Sequence, residues 1–211
     1  TIDIHCGGQD LTFPHHENEV AQSECSTGKP FANFWLHNGY INVNNTKMSK
    51  SLGNFFTVRD VAEKYGYQTI RFFILSAQYR SPINFSAEII EQSKNALERI
   101  QNCVGNLKFY LKTAVSGEET PAEVKLTPEV KAAADKHRSD FIEAMDDDLN
   151  TADAIAAIFE LVRDANELVS KGAPKSAAEY SLSAINELCG LLGIETEAAP
   201  MESDDSLEAE I

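Results

Sequence analysis

Ile2-Asp3-Ile4-His5-Cys6-Gly7-Gly8, followed by Pro14 and the run His15-His16-Glu17-Asn18-Glu19, sets the fold expected of this chain. Ile2 to Ile4 reads as a short apolar strand end, Gly7-Gly8 as a turn, and Pro14 as a residue suited to the first position of a helix. Helical spacing runs from His15 to about Cys25 and closes at Thr27-Gly28-Lys29-Pro30, where glycine ends a helix and proline forbids its continuation. Strand, glycine turn and helix in that order predict an α/β unit.

Further along, Phe34 to His37 and Tyr40 to Val43 read as two short strands joined through Asn38-Gly39, a favoured hairpin turn. Asn44-Asn45-Thr46 then opens a polar loop carrying Lys47-Met48-Ser49-Lys50-Ser51. Thr57 reads as the N-cap of a helix through Tyr65, stopped by Gly66. Beyond it the apolar spacing is helical over Gln68 to Ser76, Ser86 to about Leu111, and roughly 129–145, 151–170 and 175–191. A polar linker covers about 116–128, and an acidic, Ala-rich tail begins at Glu195. Asp146-Asp147-Asp148 precedes the helix start Asn150-Thr151 and reads as negative charge complementing a helix N-terminus. The expected fold is an α/β unit followed by an all-α bundle, mostly α overall.

The hydrophobic fraction of 43% and charged fraction of 24% in 211 residues are those of a globular protein with a sizeable core. No run of about 18 apolar residues occurs, so no membrane span is expected. The start lacks an initiator Met and a basic-then-apolar signal region, and it reads as a cut through a longer chain. Cys6, Cys25, Cys103 and Cys189 show no paired spacing, which predicts a reducing, cytoplasmic setting. Residues 1–100 carry nine Lys or Arg against ten Asp or Glu, and residues 101–211 nine against 23, so nearly all of the net charge of −15 lies in the second half. Such a half disfavours broad nucleic-acid affinity, which needs clustered cations, and any RNA contact should be local.

Lys47-Met48-Ser49-Lys50-Ser51 carries the strongest chemical signal. A bare lysine pair reads as a solvated basic loop. Two lysines three positions apart, with the small hydroxyl residue Ser49 between and Ser51 after, can also fold over a triphosphate and stabilise the charge on departing pyrophosphate. The full pentapeptide favours the second reading, because it resembles the second signature of class I aminoacyl-tRNA synthetases. Its surroundings resemble the cysteinyl-tRNA synthetase family. They comprise Asp3-Ile4-His5, Gly7-Gly8, Asp10-Leu11, Phe13-Pro14-His15-His16-Glu17-Asn18-Glu19, Leu52-Gly53-Asn54-Phe55-Phe56-Thr57-Val58-Arg59-Asp60 and Glu143-Ala144-Met145-Asp146-Asp147-Asp148-Leu149-Asn150-Thr151. The likeness spans roughly residues 2 to 160.

The resemblance implies a site. Lys47 and Lys50 would be catalytic, and Gly7, Gly8, Asp10, Met48, Ser49 and Lys50 would bind ATP with Mg²⁺. Two glycines let backbone approach a nucleoside without a Cβ clash, and a carboxylate accepts ribose hydroxyl protons. His15 and Glu19, four apart on one helix face, would be two ligands of a zinc ion whose other ligands are two upstream cysteines. A soft metal that binds a thiolate but not an alcohol would select cysteine over serine. His5 orients substrate or supports the metal, or simply packs; Trp35 is expected in the core, and His37 is left open.

The implied boundaries are residues 1–58 for the second half of a class I nucleotide-binding domain with the lysine loop and 59–85 for a connecting helical segment. Residues 86–194 would be a tRNA-facing bundle and 195–211 an acidic tail. The implied activity is a cysteine-tRNA ligase using cysteine, ATP and cysteine tRNA, with this piece inactive without the N-terminal half of its catalytic domain. The rival readings are a ligase joining cysteine to an amino-sugar and a non-catalytic RNA-binding or interaction module.

Overall fold

A parallel strand pair needs a crossover connection, and the first 38 residues supply one. In the computed structural model, which describes residues 1–49, 51, 53, 54, 56–113 and 128–197, β1 (Ile2–Gly8) pairs in parallel with β2 (Ala32–Asn38). Helix α1 (Glu17–Thr27) makes the crossover. His5 lies opposite Trp35 and Gly7 opposite His37, so strand alternation puts all four on one sheet face.

Two local expectations change here. The strand runs through Gly7-Gly8 instead of turning at them, because both glycines remain in register with β2. Helix α1 begins at Glu17 and not at His15, after a 3-10 turn at Gln9–Leu11 and a wide turn at Thr12–His16 that holds Phe13 extended at φ −140° and ψ 135°. At the other end Gly28, at φ 64°, donates its N–H to the Glu24 carbonyl and closes α1 as expected.

The expected Asn38-Gly39 hairpin is not formed. The turn lies at Asn44-Asn45, both left-handed at φ 49° and 61°, between β3 (Ile41–Val43) and β4 (Thr46–Lys47). Asn45 N–H donates to the Asn84 side chain at 2.7 Å, which braces the turn. Asn38 ends a strand whose partner is β1, and Gly39 serves close packing. A Cβ on Gly39 would lie 2.4 Å from the backbone carbon and oxygen of Ser81. β3 also pairs in parallel with β5 (Ile83–Phe85), so the stretch 59–85, read as helical, ends in a strand.

Helix α2 (Val58–Tyr65) starts with a reciprocal capping box between Thr57 and Asp60, and α3 (Tyr67–Leu75) follows Gly66, at φ 78°. Helices α4 (Ala87–Thr113), α5 (Pro128–Asp146), α6 (Thr151–Ser170) and α7 (Lys175–Leu192) form the bundle, close to the periods read from the sequence. Its core holds Ile100, Leu107, Ile158, Leu161, Ile185 and Leu188, all essentially sealed from solvent. Burying each such side chain contributes about 1.5–3 kcal/mol. Cys103 and Cys189 belong to this core, and burial pushes their thiols up to about 11 and about 12. Between α5 and α7, the Arg138 guanidinium contacts Asp135, Tyr180 and Glu187, and the Tyr180 hydroxyl donates to Asp135 at 2.5 Å.

The acidic run does not complement a helix N-terminus. Asp146 is the last residue of α5, and Asp148 pairs with Arg80 at 3.0 Å. The N-cap of α6 is Asn150, and the first-turn acid is Asp153. The greater part of the 116–128 linker, and the tail beyond residue 197, lie outside the described residues. No helix among the described residues is long and apolar enough to cross a membrane.

Candidate functional site

The carboxyl ends of β1 and β2 and the start of α1 converge on a histidine cluster. His5 Nε2 donates to Glu19 Oε2 at 2.7 Å, and His15 Nε2 lies 3.6 Å from Glu19 Oε1. One carboxylate is thus shared between a strand histidine and a helix-entry histidine. His16, the residue before α1, is buried at 4% exposure, and its Nδ1 lies 2.8 Å from His37 Nε2, so one ring donates to the other. Burial first, then the neighbouring His37 and His5, hold the His16 imidazole below its usual pKa, which favours the neutral ring. Trp35 packs edge-on to His5 and stacks with His37 at 6.0 Å, so its packing partners are the site histidines.

The glycines have an internal reason beside any ligand. A Cβ on Gly7 would come within 2.6 Å of the His16 ring, and one on Gly8 within 2.5 Å of the Asp10 carboxylate. Gly7 therefore makes room for the His16–His37 pair, and Gly8 lets Asp10 fold back over the strand end. Gly7, Gly8 and Asp10 lie together at this end, with Gln9 bonded to the Arg80 carbonyl at 2.6 Å.

Lys47, Met48 and Ser49 stand on the other sheet, at and after β4. The Lys47 side chain is exposed, with its ammonium 5.8 Å from the centre of the Tyr40 ring. Lys50 lies outside the described residues. Asn54 carries no separate signal of its own in the sequence. Its Nδ2 donates to the Lys47 carbonyl at 3.2 Å and its Oδ1 accepts from the Ser49 N–H at 2.9 Å, so one amide clasps the loop on both sides of Met48.

Ligand atoms of His5, His16 and Glu19 all lie within 4.8 Å of one another. Imidazole nitrogen and carboxylate oxygen are ordinary zinc donors, and His15 with Glu19, 3.6 Å apart, offers one of each, whereas His5 Nε2 is already bonded to Glu19 and His16 Nδ1 to His37. The expected pair His15 and Glu19 shares its carboxylate with that cluster. Cys6 and Cys25 are exposed and outside it.

The family described as tRNA synthetases class I (C) catalytic domain matches residues 1–95, and the one described as DALR domain matches residues 140–197. A solved structure, the ternary complex of Agrobacterium radiobacter K84 agnB2 LeuRS-tRNA-LeuAMS, superposes with a TM-score of 0.69 at 20% identity over 90% of this chain and 27% of that chain. That likeness concerns the fold alone. The chain is 51% identical to the "Cysteine--tRNA ligase" of Caldicellulosiruptor saccharolyticus, a match covering 96% of this chain and 43% of the relative. It is 50% identical to that of Clostridioides difficile, over 99% of this chain and 44% of the relative. The chain belongs to the cysteine–tRNA ligase family of class I synthetases, and it spans less than half the length of these relatives.

Proposed function

We propose that this chain carries part of the cysteine- and ATP-handling site of a cysteine–tRNA ligase, together with a helical bundle that faces tRNA, and that it acts in the cytoplasm. The observation that carries this reading is identity near 50% to cysteine–tRNA ligases across nearly the whole chain, with the histidine cluster and the lysine strand inside the matched stretch. In the reaction, the cysteine carboxylate attacks the α-phosphate of ATP, giving cysteinyl adenylate and pyrophosphate. A ribose hydroxyl of the terminal adenosine of cysteine tRNA then takes the aminoacyl group and releases AMP.

The residues divide this work by chemistry. Gly7, Gly8 and Asp10 receive the adenosine at the end of β1. Lys47 and Lys50 supply positive charge that offsets the negative charge building on the leaving pyrophosphate, and Mg²⁺ would add to it. Met48 and Ser49 line the same nucleotide path, and Asn54 holds that loop ready. His15 and Glu19 serve as zinc ligands, and His5 fixes the Glu19 carboxylate through its 2.7 Å bond. Zinc, when bound, supplies a soft Lewis acid that prefers a thiolate to an alcohol. Neutral His16, bonded to His37, adds no charge beside that carboxylate.

The test is genetic. A chimera in which this chain replaces the matching segment of the Clostridioides difficile relative should sustain growth of bacteria depleted of their own cysteine–tRNA ligase. A folded, expressed chimera that fails to do so contradicts the reading.

A further inference from the structure

The acidic run at 146–148 is unused by this chemistry, and it adjoins a strained turn. Between α5 and α6, Asp148 and Leu149 are both left-handed, at φ 53° and 55°. Asparagine and aspartate tolerate that region, but leucine does so at a cost, and the Leu149 side chain remains 45% exposed, so little packing compensates. Backbone bonds from Leu149 N–H to the Met145 carbonyl and from Asn150 N–H to the Ala144 carbonyl, both 3.1 Å, tie the turn to the end of α5, and side-chain contacts from outside the turn add to them.

Those contacts come from one short stretch. The Tyr79 hydroxyl donates to Asp148 Oδ1 at 2.9 Å, Arg80 Nη1 meets Oδ2 at 3.0 Å, and Gln78 Nε2 donates to the Asp148 carbonyl at 3.4 Å. The ion pair is open to solvent and by itself would do little. The tyrosine hydroxyl is the firmer tie; burial first, and then Asp148, raises its pKa.

The backbone of the same stretch grips the site. The Tyr79 carbonyl accepts from Gly39 N–H at 2.7 Å, just past His37, and the Arg80 carbonyl accepts from Gln9, between Gly8 and Asp10. Residues 83–85 then form β5, which pairs with β3 and through it reaches the strand of Lys47. Side chains of 78–80 therefore hold the bundle, while the backbone of 79–80 holds the end of the first sheet and that of 83–85 holds the second.

We propose that Asp148 is a positioning residue: through residues 78–85 it sets the register of the two site sheets on the helical bundle. The geometry stands without the ligase reading; its catalytic consequence rests on that reading. A macromolecule that shifts the α5–α6 turn is then felt at Gln9, Gly39 and the lysine strand.

Amide hydrogen exchange on the 211-residue chain tests this. Asp148→Gly keeps the left-handed turn accessible and deletes the carboxylate, and Tyr79→Phe removes only the donor. Both should speed exchange at Gly39 at least about tenfold, the loss expected when a protecting contact worth about 1.4 kcal/mol is removed. Core amides such as those of Phe141 and Ile158 should be unchanged, and Asp148→Asn, which retains an acceptor, should fall between. Unchanged Gly39 exchange in Asp148→Gly overturns the proposal, and so does uniform acceleration that includes the core, since that marks plain destabilisation. In the chimera, Asp148→Gly should lower kcat for adenylation and leave the KM for cysteine alone. If the parent chimera is inactive while Gly39 still responds, the ligase reading fails and the strut stands.

Discussion

Gly39→Ala isolates the packing that ties the first sheet to residues 78–82. The added methyl would sit 2.4 Å from the Ser81 carbonyl group and 2.7 Å from Pro82 N, both backbone and therefore unable to swing aside. Reaching an ordinary contact of about 3.4 Å moves that backbone by about 1 Å and stretches the 2.7 Å bond from Gly39 N–H to Tyr79. Overpacking costs about 1–3 kcal/mol and the weakened hydrogen bond about 1 kcal/mol. The reduced freedom of the unfolded chain returns about 0.4–1 kcal/mol, which leaves a net loss of about 1–3.5 kcal/mol, centred on about 2 kcal/mol. Trp35 is the only tryptophan and sits on β2 four residues away, so its fluorescence during urea unfolding reports this unit directly. With a slope of about 2 kcal/mol/M the midpoint should fall by about 1 M. Gly28→Ala is the comparison, since it meets open space and bears only the left-handed penalty, about 1–2 kcal/mol. A Gly39→Ala midpoint within about 0.2 M of the parent would refute the close approach.

Thr57→Ala removes one half of the capping box and should destabilise α2 by about 1 kcal/mol, measured as faster amide exchange at Asp60 and Val61. Asp135 is held below its ordinary pKa by the Tyr180 hydroxyl and then by Arg138. Its folded value lies below its unfolded value, so its contribution is present above about pH 3.8 and is lost as the pH falls through the folded value. Tyr180→Phe should therefore flatten the acid limb of stability against pH, and an acid limb identical to the parent's would remove that role. Lys50→Ala in the chimera should slow adenylate formation by about 10²- to 10³-fold with cysteine affinity nearly constant, read by rapid-quench kinetics.

Features governed by neighbours in sequence were legible. Gly28 and Gly66 stop helices, Thr57 caps one, and the bundle helices follow their apolar period, because each signal acts within about one turn. Features governed by distant partners were not. Asn38-Gly39 carries a hairpin signal, but the strand before it is claimed by β1 through a crossover, and the two left-handed asparagines after it make the turn instead. Asp148 looked like a helix-dipole residue because its partners, Tyr79 and Arg80, lie about seventy residues upstream. In the site, a role for His5 in support of the metal was among the readings of the sequence, whereas its bond to Glu19, the His16–His37 pair and the Asn54 clasp depend on contacts that spacing does not announce. The clue for Asn54 was its place in the stretch after the lysine loop.

Cysteine-dependent exchange of labelled pyrophosphate into ATP by the chimera tests the central claim most directly. The account predicts exchange with cysteine, little with serine, and a loss on chelation that zinc restores. Equal exchange with both amino acids, or none from a folded chimera loaded with zinc, would contradict it.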